Sequence, residues 1–323
     1  MPFGAAAILA AHRPVAVIEG PGTIESTPRA AFPTAFVVIG AGRVGTAVAV
    51  LLARAGHSIV AATGRAQTRE RVRHHLPLTR FVSSTEAADA CREAGGVLIT
   101  VPDDRIAMVC AELAVDGAFH RDQHVLHLSG SVGLDALAPA EQGGAAVASV
   151  HPLQSFPDVE AGIARLPGSG IAVTAAAPGP FAFAEALATD VGGLPFSLSD
   201  QAKPLYHAAA VFASNYLVAV EAVAAELFAA AGVSEPLPLF EPLARATLDA
   251  TFRAGPARVL TGPAARGDVG TIARNLEALR DQVPDAVAPY VELARVAAGV
   301  AARAGRLDAE GLRRVREELD RWT

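Results

Sequence analysis

Phe36-Val37-Val38-Ile39-Gly40-Ala41-Gly42-Arg43-Val44-Gly45 is the stretch whose reading decides the fold. Its first four residues are continuously apolar, the pattern of a strand buried on both faces of a parallel sheet. The next six spell G-x-G-x-x-G, and Arg43–Ala55 then has helical character, with Gly56 placed to end the helix. A second apolar run begins at Ser58. Strand, glycine turn, helix and strand in that order are the context a dinucleotide fingerprint requires. Gly40 permits the tight turn, Gly42 lets the backbone approach a pyrophosphate, and Gly45 lets the helix pack close to the strand. Arg43 and Val44 begin the helix whose N–H groups would meet the phosphates.

The end of the second strand selects between the two nicotinamide dinucleotides. An NAD site usually carries an acid there, roughly 20 residues beyond the glycines, to hold the ribose 2′-OH. This chain reads Ala61-Ala62-Thr63-Gly64-Arg65, with no acid before Glu70. A guanidinium suits a 2′-phosphate, so the expected cofactor is NADP(H), bound by Arg65 and the Thr63 hydroxyl. Arg69 and Arg71 lie behind Arg65, and Arg71 is expected on a solvated helix face.

Further strands are expected at Val97–Val101, Val125–Leu128, Ala146–Val150, Ile171–Thr174 and Pro195–Leu198, alternating with helices. That alternation predicts an α/β fold, a doubly wound parallel Rossmann sheet over 34–199. After Asp200 no strand pattern appears, and 200–323 is expected to be an all-α substrate and dimerisation domain. Its first helix, from Pro204 to Ala231, is apolar on most sides and is expected to be central and buried. Residues 1–33, rich in Ala, Pro and Gly, are expected to form a flexible extension.

Composition excludes several classes. Of 323 residues, 51% are hydrophobic and 19% charged, enough apolar side chain for a core and too much for a disordered chain. The net charge of -6 argues against nucleic acid as a partner. Only Cys91 and Cys110 occur, so neither a disulfide framework nor a cysteine metal centre can be built. His74, His75, His120 and His124 carry no motif and are expected on loops or the surface; no metal is expected. The longest apolar stretch, Leu205–Val233, contains His207, Asn215, Glu221 and Glu226, which argues against a membrane span and for a cytoplasmic protein.

The basic residues number 27, and Lys203 is the one lysine among them. A position that stays Lys in an Arg-dominated chain is a candidate for acid–base work, which guanidinium cannot do. Ligands of open α/β sheets lie at the carboxyl ends of the strands. Val101-Pro102-Asp103, Ser129-Gly130-Ser131 and His151-Pro152 fall there, with Val101, Pro102 and Ser129 expected to meet the nicotinamide half. In one continuous helix, Lys203, His207 and Ser214 or Asn215 fall at i, i+4 and i+11 or i+12, along one face, a polar stripe that suits a substrate pocket. Lys203 is the first candidate for the proton donor and His151 the second, with His207 and Asn215 beside them. Ser131, Asn215 and Arg266 are candidate substrate contacts, and Asp268 is expected to cap the helix that follows it.

The stretches His127-Leu128-Ser129-Gly130-Ser131, His151-Pro152-Leu153-Gln154-Ser155-Phe156, Tyr206-His207-Ala208-Ala209-Ala210 through Asn215-Tyr216, and Leu260-Thr261-Gly262-Pro263 through Asp268 carry a resemblance. The chain resembles the 6-phosphogluconate-dehydrogenase-like superfamily, and within it the bacterial Rossmann-like proteins with a conserved C-terminal domain of unknown function, often encoded near pantothenate genes. Some relatives are alternative ketopantoate reductases. Ser131 and His151 also resemble the substrate-touching Ser and His of prephenate dehydrogenases. Lys203 and Asn215 resemble the Lys and Asn of β-hydroxyacid dehydrogenases, with different spacing. The resemblance implies an NADPH-dependent reductase of a small oxo acid, ketopantoate-reductase-like; separately, the apolar surplus of the helical domain leads to the expectation of a homodimer. An imine reductase or an oxidative dehydrogenase would use the same site, and a non-catalytic NADP(H)-binding sensor or scaffold would share the glycine turn.

Overall fold

The computed structural model describes Phe32 and residues 34–322. The expected 1–33 extension, Phe32 apart, lies outside the described residues. The chain divides into two compact units, one ending at Ala210 and the other beginning at Val211.

The first unit is built on strands β1 (Ala35–Ile39), β2 (Ser58–Ala62), β3 (Arg80–Phe81), β4 (Gly96–Ile99), β5 (His124–His127), β6 (Ala146–Pro152), β7 (Gly170–Ala175) and β8 (Leu194–Ser197). They form one sheet in the order β3-β2-β1-β4-β5-β6-β7-β8. Every neighbouring pair is parallel except β6 with β7. The chain runs outward from β1 to β3, then returns to β4 on the other side of β1. This reversal opens a crevice between the carboxyl ends of β1 and β4, the position where doubly wound sheets bind ligands.

Alternation along β1 divides the core in two. Phe36 and Val38 point to one face, with the helices Arg43–Arg54 and Pro178–Asp190, while Val37 and Ile39 point to the other, with Ala87–Arg92 and Ile106–Val115. Burying a Phe fully contributes about 1.5–3 kcal/mol, and Phe36 has no exposed surface. Its cross-strand partner is Gly96, whose missing side chain leaves room for the Phe36 ring. His124, expected on a loop or the surface, instead begins β5, with its ring 4.0 Å from that of Phe183.

The second unit is helical throughout its regular elements: Asn215–Ala230, Pro236–Ala254, Pro256–Val259, Pro263–Arg266, Val269–Gln282, Val287–Arg303 and Ala309–Leu319. Its core joins Ile272, Leu276, Val291, Ala298, Val315 and Leu319 from the last three of these.

The stretch after Pro204 departs from the sequence expectation. One helix covers Lys203–Ala213, a second Asn215–Ala230, and Ser214 between them has φ −128° and ψ −66°, outside helical geometry. Neither is central. Lys203 is the one buried residue of the first and the second has none, while Leu205, Phe212 and Val218 are exposed. Hydropathy reports that a helix wants cover, and here the cover is partial, with Val223 and Leu227 packed against the core of the second unit. Among the described residues Asp200–Ala230 is also long and apolar enough to cross a membrane by composition, although Glu221 and Glu226 lie within it.

Candidate functional site

The glycine turn contains two glycines that the protein itself demands and one that it does not. Gly40 has φ +91°, and a Cβ there would lie 2.6 Å from Val101 Cγ1. A Cβ on Gly45 would overlap the Thr100 hydroxyl, which donates to Gly40 O at 2.8 Å and ties the exit of β4 to the turn. Gly42 has φ −69°, and a Cβ there would meet nothing nearer than Gly40 O at 3.8 Å. The space it faces is open. Gly42 is also the N-cap of the helix Arg43–Arg54, which has no side-chain cap and no acid in its first turn. Unpaired N–H groups, a positive dipole end and an open approach fit the diphosphate of a dinucleotide.

A cavity of about 400 Å³ starts at this turn. Gly42, Arg43 and Val44 form one wall, Thr100, Val101, Pro102 and Asp103 a second, and Leu128, Ser129 and Phe156 close it. The loop after β6 reaches it because Arg43 Nη1 donates to Pro157 O at 3.0 Å. The expected residues Gly42, Arg43, Val44, Val101, Pro102 and Ser129 are thus brought together. A larger cleft of about 740 Å³ shares Arg43 but runs along Glu70–His75 and Pro157–Glu160.

At the end of β2, Thr63 Oγ1 accepts the Gly40 N–H at 3.1 Å, which leaves its own hydrogen to donate. Arg65 is exposed at the N-cap of the helix Ala66–His75 and forms no ion pair among the described residues. Arg69 lies 4.8 Å over the Phe81 ring. Arg71, expected on a solvated face, is half-buried with Nη1 3.5 Å from Ala41 O in the glycine turn.

The strand exits carry a polar cluster. Ser129 Oγ donates to Asp103 Oδ2 at 2.7 Å and accepts from the N–H groups of Ser131 and Val132. Ser131 Oγ donates to the same Oδ2 at 2.8 Å. Lys203 lies behind this wall, 1% exposed, with Nζ donating to Ser129 O at 2.9 Å and Ser149 Oγ at 2.7 Å. Burial lowers its pKa to about 8, against the opposing pull of Asp200 and Asp103. Lys203 does not line the cavity; it joins the turn after β5 to Ser149 within β6.

His151 Nδ1 lies 2.9 Å from the Tyr206 hydroxyl, and Gly130 is glycine where the His151 ring packs, since a Cβ would sit 2.7 Å from it. Burial, reinforced by repulsion from Lys203 and His207, brings His151 down to about 4. Burial pushes Tyr206 up to about 12. At neutral pH the imidazole is therefore neutral and the phenol keeps its proton. The His207 ring stands 6.2 Å from that of His151, centroid to centroid. His127, whose Nδ1 accepts the Ser129 N–H, is brought down to about 3, chiefly by burial.

Asn215 and Arg266 belong to the second unit and are exposed. At Ser214 the backbone leaves helical geometry, so the single helix expected from Pro204 to Ala231 is two, Lys203–Ala213 and Asn215–Ala230. Asp268 caps the helix Val269–Gln282, accepting from Thr271 N at 3.0 Å, as the sequence suggested. Folding also brings ligand atoms of His74, His75 and Glu160 within 4.8 Å of one another, a grouping that sequence spacing did not show. Asp103, Tyr206 and Phe156 are the site residues that sequence reasoning passed over. Tyr206 stands one helical turn beyond Lys203, Asp103 follows Pro102, and Phe156 ends the stretch that begins at His151, so each left a signal.

Residues 25–152 match the Rossmann-like domain family, and residues 169–297 match the domain of unknown function DUF2520. The chain combines a Rossmann-like domain with a DUF2520 domain. A search of curated proteins finds no match. Among solved structures, the NADP oxidoreductase candidate BF3122 from Bacteroides fragilis has a TM-score of 0.69 at 22% identity, covering 82% of this chain and 98% of its own. Protein TM1727 from Thermotoga maritima gives 0.62 at 22% identity, covering 83% and 98%. A reductive aminase from Aspergillus terreus, solved with NADPH and ethyl levulinate, gives 0.56 at 18% identity, covering 89% and 93%. At these identities the likeness is one of fold, shared along both the Rossmann-like and the DUF2520 segments.

Proposed function

We propose that this protein is an NADP(H)-dependent oxidoreductase that acts on a small compound at a C=O or C=N bond. One observation carries the reading: a single cavity joins the open Gly42 turn to the polar exits of β4 and β5. The fold likeness to NADP(H) oxidoreductases and to a reductive aminase supports it. NADPH, when bound, supplies a hydride. The chain's own residues then bind, orient and hold protons. His151 and Tyr206 form a pair able to pass a proton to a developing alkoxide on a C=O substrate, such as a ketopantoate-like oxo acid. Lys203 acts as a positioning residue, because its amine holds Ser129 and Ser149 rather than the cavity. A cytoplasmic location accords with this chemistry.

Cofactor choice is tested by titrating NADPH and NADH. Arg65 is exposed and free of ion pairs among the described residues, so it is available to a 2′-phosphate. A charged hydrogen bond supplies ~1.5–3 kcal/mol, so Arg65→Ala should weaken NADPH roughly tenfold or more and spare NADH. Equal wild-type affinity for both dinucleotides would refute the NADP(H) assignment. NADPH oxidation against a panel of oxo acids and imines then tests the reaction class.

The helix Asn215–Ala230 has no buried residue, and Val218, Leu243 and Phe252 are 68%, 67% and 84% exposed. Apolar surface of this kind calls for a partner, and a second copy of the chain is the expected one. Light scattering should return twice the chain mass at micromolar concentration; a monomer would remove the homodimer from the proposal.

A further inference from the structure

Asp103 is the acid in the wall of the candidate cavity, and it is held in an unusual way. Both serine hydroxyls, Ser129 Oγ and Ser131 Oγ, donate to the same oxygen, Oδ2. Oδ1 accepts from no described residue, and no cation pairs with the carboxylate within ion-pair distance among the described residues. The Lys203 ammonium, behind this wall, donates to Ser129 O and Ser149 Oγ. Arg43, on the opposite wall, donates to Pro157 O. Two donors therefore fix the plane of a carboxylate whose second oxygen remains free, beside the exits of β4 and β5, where a reacting group would lie. A fixed, unpaired anion repels a substrate carboxylate and attracts a positively charged nitrogen.

Resting on the oxidoreductase reading above, we infer that Asp103 is the specificity-determining residue of this site and selects a cationic C=N substrate, a protonated imine, over a 2-oxo acid. The N–H of the iminium donates to Asp103 Oδ1. The iminium carbon accepts the hydride, and the electron pair of the C=N bond moves onto nitrogen. The product is a neutral amine and the hydride donor leaves oxidised; no proton is transferred in the step. This chemistry suits a site whose imidazole, His151, is neutral and whose one ammonium is engaged elsewhere. Carbonyl reduction would instead draw on the Tyr206–His151 pair.

Asp103→Asn tests the inference, because an amide oxygen can still accept both serine hydroxyls while the charge is lost. Binding is read first, by calorimetry, titrating pyrrolidine and 2-hydroxyisovalerate into the wild type and the variant, each with NADP+ and without it. Turnover is read second, with 2-methyl-1-pyrroline and 2-oxoisovalerate under NADPH. The wild type is expected to bind the amine and to reduce the imine in preference to the oxo acid. Asp103→Asn is expected to lower amine affinity and imine kcat/KM by roughly tenfold or more, with NADPH affinity unchanged. A wild type that binds no amine, or a variant that keeps the wild-type ratio of imine to oxo acid, overturns the selection of a cation. Failure of the underlying oxidoreductase reading shows separately, as absence of NADPH binding in the wild type.

Discussion

Gly42→Ala is expected to abolish measurable NADPH binding while leaving the fold nearly as stable as the wild type. The two halves of that result have separate causes. At this position φ is −69°, a value any residue adopts, and the added Cβ would be 3.8 Å from its nearest protein neighbour. The folded chain therefore meets no clash, and the loss is that of a glycine N-cap, within about 1 kcal/mol. A diphosphate seated on the helix N-terminus, by contrast, would meet the methyl group directly. Gly40→Ala and Gly45→Ala provide the contrast, since their added atoms run into Val101 and Thr100. Overpacking of this kind costs typically 1–3 kcal/mol, and Gly40 adds the strain of φ +91°. Thermal melting and fluorescence titration on all three variants separate the roles. If Gly42→Ala binds NADPH like the wild type, the open space beside Gly42 is not a phosphate site.

The sheet and its turn were legible because each rests on local pattern. Four apolar residues, a glycine turn and a helical run lie within one short segment, and no distant partner is needed to read them. β3 was missed, since Arg80–Phe81 is too short to show alternation. The stretch after Pro204 was misread for a different reason. Hydropathy records a preference for cover but not its source, and periodicity was extended across Ser214, where the backbone leaves the helix. The sequence places Asp103 at the exit of β4 but shows no role for it, because its meaning comes from serines 26 and 28 residues away. The grouping of His74 and His75 with Glu160 is likewise a product of folding. Lys203 was singled out by its rarity, which indicated that an amine matters there but not which way it points.

Lys203→Met gives the second large effect. The structure places Nζ on Ser129 O and Ser149 Oγ, so its loss frees the Ser129 turn that presents Asp103 to the cavity. A misplacement of about 1 Å at a reacting centre can cost ~10²-fold, and that fall in turnover is expected with NADPH affinity retained. Lys203→Arg should not restore it, because the larger guanidinium has no room in a site 1% exposed. Stability adds a readout of whether this amine is buried in solution as it is in the structure. The pKa of Lys203 is lowered from 10.5 to about 8 in the folded chain. Below that value both states hold the proton, and burial of the charge costs stability. Between about 8 and 10.5 the folded chain has released the proton and the unfolded chain still binds it, so unfolding becomes harder as pH rises. The rise amounts to roughly 3 kcal/mol over the window. Urea unfolding at about pH 7.5 and about pH 10 should therefore show the wild type gaining relative to Lys203→Met. An equal response of the two proteins would mean that the amine is solvated in solution, and the positioning role would fall with it.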